Sequence, residues 1–413
     1  MWTVQEFVLA RRVIFRLGSR EISLDWLEST VRDLKGLNPS HSNGSVAKMQ
    51  LIWALFDHRH RAHLHAAGEL GAQKSLSGCF LDLARHRQCK DDRDRIYSML
   101  GIAPDIGITP DYSLSLWQVY ANFTAAALSS GDFLLLHACC FNEPGSRLPK
   151  YVPSLNSSNS EYFPLWRYPG RQFRAASHCQ PRIETTSKDQ ITISGIRIGT
   201  LEASLDLTRN FRTFADLYRY ILTYLITDPR EVSEYLHDLH TSTPHPRYRR
   251  SPYLHTSLFD VLARTLSLDT TPSLEHIEDI HTNLDYTFTK HLRTRTLFWT
   301  EQGYIGLGPS HLTPGDEVVV FHGDYTPFLL RKQVREQLTG SPNPVLELVG
   351  DCYVHGWMYG HFPDDTVQQP KSIWRESLGE SAYGALVKMK RFWAGKMELE
   401  AEPCLFESSF TIG

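Results

Sequence analysis

The feature that most constrains how this chain folds is a change of hydrophobic period. From residue 294, "TRTLFWTEQGYIGLGPSHLTPGDEVVVFHGDYTPFLLRKQ", taken up again by "PVLELVGDCYVHG", alternates apolar and polar side chains in short runs. The runs are broken by Gln-Gly, Pro-Gly-Asp and Gly-Asp turns. Period two sends successive side chains to opposite faces, so the segment reads as about five short strands in a compact antiparallel meander or small barrel.

Upstream the period is helical. "ISLDWLESTVRDLK" spaces Ile22, Trp26, Leu27 and Val31 as one helix face, with Ser23 as N-cap, and Met49, Ile52, Trp53 and Phe56 line a second helix. Residues 2–17 read as a short helix or helix-strand unit. Ser113 or Ser115 caps a third helix carrying Leu116, Val119, Tyr120, Phe123 and Ala127, which Gly131 stops. Between 146 and 188, Pro149, Pro153, Pro164 and Pro169 interrupt an aromatic-rich stretch that reads as irregular. "ITISGIRIGTL" then alternates, with a phase shift at Gly195 where a bulge or turn is expected. Helices are expected again over 211–226, at "SLFDVLARTL" and at "SAYGALVKMKRFW". The fold class expected is α+β: a mainly helical body, a long irregular aromatic-rich segment, and a small antiparallel C-terminal β-meander or barrel. The divisions expected are 1–75, 76–290 with a short β unit near 190–201, 294–362 for the barrel, and 363–413 for helix and tail.

Composition narrows the functional classes. Lys+Arg 43 against Asp+Glu 46 gives a net charge of -3 and no global basic field for nucleic acid. No run approaches the roughly 18 apolar residues that cross a bilayer, and Glu6 interrupts any signal-peptide core. Seven cysteines without a CxxC pair fit neither a disulfide framework nor a zinc knuckle, so reduced thiols in a cytoplasmic protein are expected.

Four clusters invite a chemical reading, and in each a structural one competes. "KDDRDRIYSMLG" sets Asp91, Asp92 and Asp94 beside Arg93 and Arg95, as a metal or phosphate site would. Acids at the start of a helix also cap its free amides, and successive residues point around the helix, so capping is the reading adopted. His58, His60, His63 and His65 lack the HExxH pattern and read as a solvated helix end. Gly303, Gly306 and Gly308 lie in a period-two region and read as turn glycines, not a dinucleotide loop. In "GDCYVHG", alternation puts Asp351, Tyr353 and His355 on one side and Cys352 on the other, so no local Cys-His couple forms. No catalytic set, cofactor or metal is assigned.

Three blocks, in order, resemble the fungal heterokaryon-incompatibility (HET) family: "MWTVQEFVLA", "DDRDRIYSMLGIAPDIGITPDYSLSLWQVY", and "GYIGLGP...PGDEVVVFHGDYTPFLLR...LELVGDCYVHGWMYG". The resemblance marks as landmarks Trp2, Gln5 and Glu6; Asp92, Arg93, Asp94 and Tyr97; Asp111 and Tyr112; Gly315, Asp316 and Arg331; and Gly350, Tyr353, His355 and Gly356, in structural or interaction roles. The chain departs from the family pattern at Tyr151, Ser154 and Leu155, where tryptophan, aspartate and tryptophan are usual, and at Gly199 in place of a frequent aspartate. The "W-x-D-x-x-C-I-N-Q" effector part would precede "WTVQE", yet Met1 stands directly before Trp2. The resemblance therefore implies a truncated family member with a non-enzymatic role in fungal non-self recognition through protein partners. The alternative is an accessory enzyme or pathway protein of a secondary-metabolite cluster, binding a small apolar ligand in its barrel-like unit.

Overall fold

The computed structural model describes residues 2–36, 43–69, 75–84, 88–139, 151–153, 165, 173–176, 179–180, 182–187, 190–207, 220, 258–269, 294–332, 345–360 and 408–412. The chain divides into two compact units, Met1–Leu135 with Glu143–Ser157, and Leu136–Asn142 with Ser158–Gly413.

The first unit is mostly helical. Helix α1 (Trp2–Leu9) leads to a hairpin of β1 (Ile14–Leu17) and β2 (Arg20–Ser23), whose two-residue turn places Gly18 at φ +61°. Ser23 Oγ accepts from the Trp26 amide at 3.2 Å, the expected cap of α2 (Leu24–Gly36). Helix α3 (Asn43–Ala66) sends Phe56 against Phe7, with ring centroids 5.8 Å apart. Helix α4 (Leu76–Cys79) runs into a π-helical turn, Phe80–Ala84, and Phe80 packs on Phe123. Helix α5 is a single turn, Asp94–Tyr97, and buries Ile96 and Tyr97. Helix α6 (Leu116–Ser129) matches expectation: Gln118 Oε1 accepts from the Ser115 amide and hydroxyl, and Val119, Tyr120, Phe123 and Ala127 are buried. Helix α7 (Leu134–Ala138) contributes its residues from Leu136 on to the second unit.

The second unit is built on β-structure, so a mainly helical body is not confirmed. Its elements are β3 (Ile183–Ser187), β4 (Gln190–Leu205), α8 (Leu258–Leu266), β5 (Arg295–Thr300), β6 (Ile305–Pro309), β7 (Glu317–Phe321), β8 (Phe328–Lys332), β9 (Val345–Asp351), β10 (Tyr353–Val354) and β11 (Ser408–Ile412). Strands β4, β11, β9, β8 and β7 pair in that order, and β7 pairs back onto β4, closing a five-stranded barrel. All these pairings are antiparallel except β11 with β9. The far end of β4 pairs with β5, which continues through β6 to β10. Phe298, Val318, Val320, Leu329, Val349 and Cys352 belong to one buried apolar cluster, which joins β5 to the barrel strands β7, β8 and β9.

Two strands outside 294–362 thus complete the barrel. One, β4, is a continuous strand of 16 residues with no turn at Gly195. Its register slips instead between Arg197 and Gly199 and between Leu201 and Ala203. Gly195 serves close approach: a Cβ there would lie 2.6 Å from the Val320 carbonyl oxygen. The other, β11, falls where only helix and tail were expected. The irregular segment also ends in strand, at β3. The helices expected over 211–226, apart from residue 220, and at "SAYGALVKMKRFW" lie outside the described residues. Cys79, Cys89, Cys139 and Cys352 form no disulfide, but Cys179 is disulfide-bonded, against the expectation of seven reduced cysteines.

Candidate functional site

The acid-rich landmark folds into a clasp. Arg93 forks onto Asp91, with Nε 3.0 Å from Oδ1 and Nη2 2.7 Å from Oδ2, while Nη1 donates to the Tyr112 and Leu114 carbonyls at 2.7 and 2.9 Å. Its guanidinium also sits 5.2 Å from the centre of the Tyr112 ring. Tyr112 donates to Asp94 Oδ1 at 2.6 Å, and this bond to a carboxylate is the main reason its phenol is pushed up to about 12. Tyr97 donates to the Asp111 carbonyl at 2.9 Å, and the Asp111 carboxylate accepts from Ser113, which holds it below the usual carboxylate range. Asp92 accepts from Arg95, and its carbonyl from Tyr120. The acids therefore bind local arginines, tyrosines and amides. Asp91 accepts from the Arg93 amide at 3.0 Å, but no side chain caps α5 itself, so the simple capping scheme is replaced by a cross-brace to residues 111–114.

The N-terminal landmark meets the same block. The Gln5 side chain lies against Gly101, where a Cβ would strike its amide nitrogen. Glu6 is exposed, its carbonyl accepting from the Ala10 amide. The side chain of Trp2 is outside the described set.

In the second unit Asp316 and Arg331 form a fork of two bonds, 2.8 and 2.9 Å, between the start of β7 and β8. Asp316 also accepts from the Thr313 amide, and its carbonyl accepts from the Leu201 amide of β4. Gly315 makes this turn possible at φ +92°, in the left-handed region that favours glycine. Gly350 (φ +148°) stands where β9 shifts register against β8, and Gly356 (φ +85°) follows β10. Tyr353 is wholly buried, and its hydroxyl donates to Asp269 Oδ2 at 2.8 Å and lies 3.2 Å from His355 Nδ1. The pairing of Tyr353 with His355 follows the alternation. Asp351 does not join them: its carboxylate turns to Arg295 and His137. Gly306 and Gly308 are strand positions of β6, not turns, and a Cβ at 306 would strike the Tyr353 carbonyl oxygen and the Phe298 ring.

Two histidine networks were not legible from spacing. His58, expected on a solvated helix end, is buried in α3. Its Nε2 is 3.3 Å from Asp82 Oδ2 and its Nδ1 3.6 Å from Cys79 Sγ. With a hydrogen on Nε2 directed at Asp82, Nδ1 is left to accept from the thiol. The order of groups is that of a nucleophile, base and orienting acid, but Cys79 is completely buried, and the set acts as a core hydrogen-bond chain. His137, also completely buried, bridges Asp351 at 3.1 Å and Asp324 at 3.2 Å, and Asp351 receives Arg295 at 2.8 Å. Burial alone would lower the His137 pKa, yet the charge of Asp324 and bonds to Asp324 and Asp351 prevail and push it up to about 9. Among the described residues no group of three or more His, Cys, Asp or Glu side chains is arranged to hold a metal ion, and no helix is long and apolar enough to cross a membrane.

With this geometry in view, comparison with known proteins gives two matches. Residues 266–370 match the Het-6 β-barrel domain family, a span that begins at the last residue of α8 and takes in strands β5 to β10. Heterokaryon incompatibility protein 6, OR allele, of Neurospora crassa is 24% identical over 449 residues, covering 88% of this chain. The match spans 64% of that relative's length. No solved structure matches.

Proposed function

We propose that this chain, a HET-family protein with a Het-6 β-barrel domain, acts in fungal heterokaryon incompatibility by protein contact and without catalysis of its own. The observation that carries the reading is how the landmark residues are used. Arg93 meets Asp91 and two carbonyls, Arg331 meets Asp316 and a carbonyl, and Tyr353 meets Asp269 and His355. Each is bonded within its own unit, which fits groups that hold the structure and not groups poised for a reaction. The name of the Neurospora relative supplies the process.

The test has two arms. Controlled expression in a compatible fungal strain is expected to provoke growth arrest and cell death, and unaltered growth at confirmed protein levels would remove the incompatibility role. Purified protein incubated with NAD is expected to leave it intact; release of nicotinamide would overturn the non-enzymatic part.

A further inference from the structure

The first unit carries a surface that neither its core nor the landmark clasp uses. Between the C-terminal end of α1, the base of the β1–β2 hairpin and α3 lies a cavity of about 440 Å³, whose lining includes three arginines, Arg11, Arg12 and Arg59, and two acids, Glu21 and Asp25. Glu21 is already bonded by Arg16, whose Nε and Nη2 both donate to its Oε1 at 3.1 and 2.7 Å. Arg59 is a buried wall of the cavity: it donates to the Phe7 carbonyl at 2.6 Å and the Val8 carbonyl at 3.4 Å. Burial lowers its pKa, against the opposing charge of Glu28. Arg11 and Arg12 are exposed, and neither side chain has a hydrogen-bond or ion-pair partner among the described residues; the same holds for Arg20 on the hairpin.

Apolar side chains stand out around these charges. Leu9, Ile14, Leu17 and Trp26 are 45%, 44%, 73% and 59% exposed, four of the nine large apolar side chains left in solvent among the described residues, all within one short stretch. The hairpin is a sheet of only two strands, so each strand has an outer edge with no strand beside it among the described residues. Such an edge is a template for an added strand.

We infer that this surface is a docking site for an extended segment of a partner protein that carries both carboxylate and apolar side chains. The inference rests on the protein-contact function proposed above. Carboxylates answer the unpartnered guanidiniums, apolar side chains cover Ile14, Leu17 and Trp26, and the strand edge supplies backbone hydrogen bonds. An anionic membrane would also meet arginines and a tryptophan, but a bilayer has no extended backbone for the edge and no side chain to enter the cavity.

The experiment uses the full chain and a short fluorescent peptide alternating glutamate and leucine, read by anisotropy at low salt. Binding is expected, with affinity falling as salt rises and falling about tenfold or more for the double variant Arg11→Glu/Arg12→Glu and for a lysine-leucine peptide. Both arginines are exposed, so the variant is expected to keep the wild-type thermal midpoint, which is measured alongside. Trp26→Ala should weaken the same peptide without changing the salt slope. Absence of peptide binding, equal binding by the double variant, displacement by millimolar inorganic phosphate alone, or tighter capture by phosphatidylserine vesicles than by the peptide would each overturn the assignment. Peptide binding by a protein that provokes no incompatibility would leave the docking site standing and remove only the proposed process.

Discussion

Asp94 shows how a charged landmark acts through structure. Its carboxylate takes the Tyr112 hydroxyl, and that bond helps hold the loop at 111–114 against α5, where Arg93 grips the Tyr112 and Leu114 carbonyls. Asp94→Ala is expected to cost less than about 1 kcal/mol, because the bond is exposed and water replaces part of it. The midpoint of urea unfolding should fall slightly with surface function kept; an unchanged midpoint with lost incompatibility would make Asp94 a contact residue instead. His58 is the opposite case. It is buried, so His58→Ala strips Cys79 and Asp82 of their shared partner and leaves a hole in the core, a cost of about 2–4 kcal/mol. If the His58→Ala midpoint matched that of the wild type, the chain would be ornamental. His58 was illegible in the sequence because its partner Asp82 is 24 residues away and nothing in "HRHRAHLH" distinguishes the one inward histidine.

At the scale of elements, the barrel depends on strands that come from three distant stretches of chain. Thr192 of β4 and Thr411 of β11 hydrogen-bond at 3.0 Å across 219 residues. Phe410 of β11 is buried, its ring 6.3 Å from that of Phe321. Phe410→Asp would put a charge against that apolar packing and is expected to cost about 3–5 kcal/mol or more. Hydrogen exchange is expected to rise at amides of β4 and β9, the two neighbours of β11, before it rises at β5 and β6. Uniform protection in the variant would show that β11 is dispensable to closure. Gly306→Ala is expected to destabilise by about 1–3 kcal/mol, since the new methyl meets the Tyr353 carbonyl and the Phe298 ring; a rise in stability would contradict the close crossing. Period two made the strands from 295 to 354 readable, and the capping pair Ser115 and Gln118 made α6 readable, because both signals are local. Closure was not readable. Five residues, "SSFTI", carry too little pattern to name partners so far away, and the glycine at 195 reports a crossing chain where it looked like a bend. The landmark residues were legible by position, while their bonding partners, such as Asp269 for Tyr353, emerge only when the chain is folded.

For the molecule as a whole, the response to pH should reveal the buried charges better than the net charge of -3 does. His137 of α7 faces Asp324 from the β7–β8 turn and Asp351 from the end of β9, and Arg295 of β5 reaches Asp351 from its other side. Two cationic and two anionic groups are thereby enclosed together, and the imidazole is held protonated up to about pH 9. An imidazole in the unfolded chain loses its proton near pH 6.5. The folded value is the higher one, so the stabilisation is fully present below about pH 6.5 and is lost as pH rises toward 9. The loss by pH 9 is expected to be a few kcal/mol, roughly 3 by the separation of the two values. Urea unfolding of the full chain, followed at pH 6, 7.5 and 9, should therefore show a midpoint that falls across this window. His137→Gln keeps a donor and an acceptor but carries no charge, so its midpoint should be lower at pH 6 and flatter with pH, and the two curves should converge as pH 9 is approached. If the glutamine variant followed the wild-type curve in parallel, the pH response would belong to other groups, and the buried imidazole would not be the charge that balances Asp324 and Asp351.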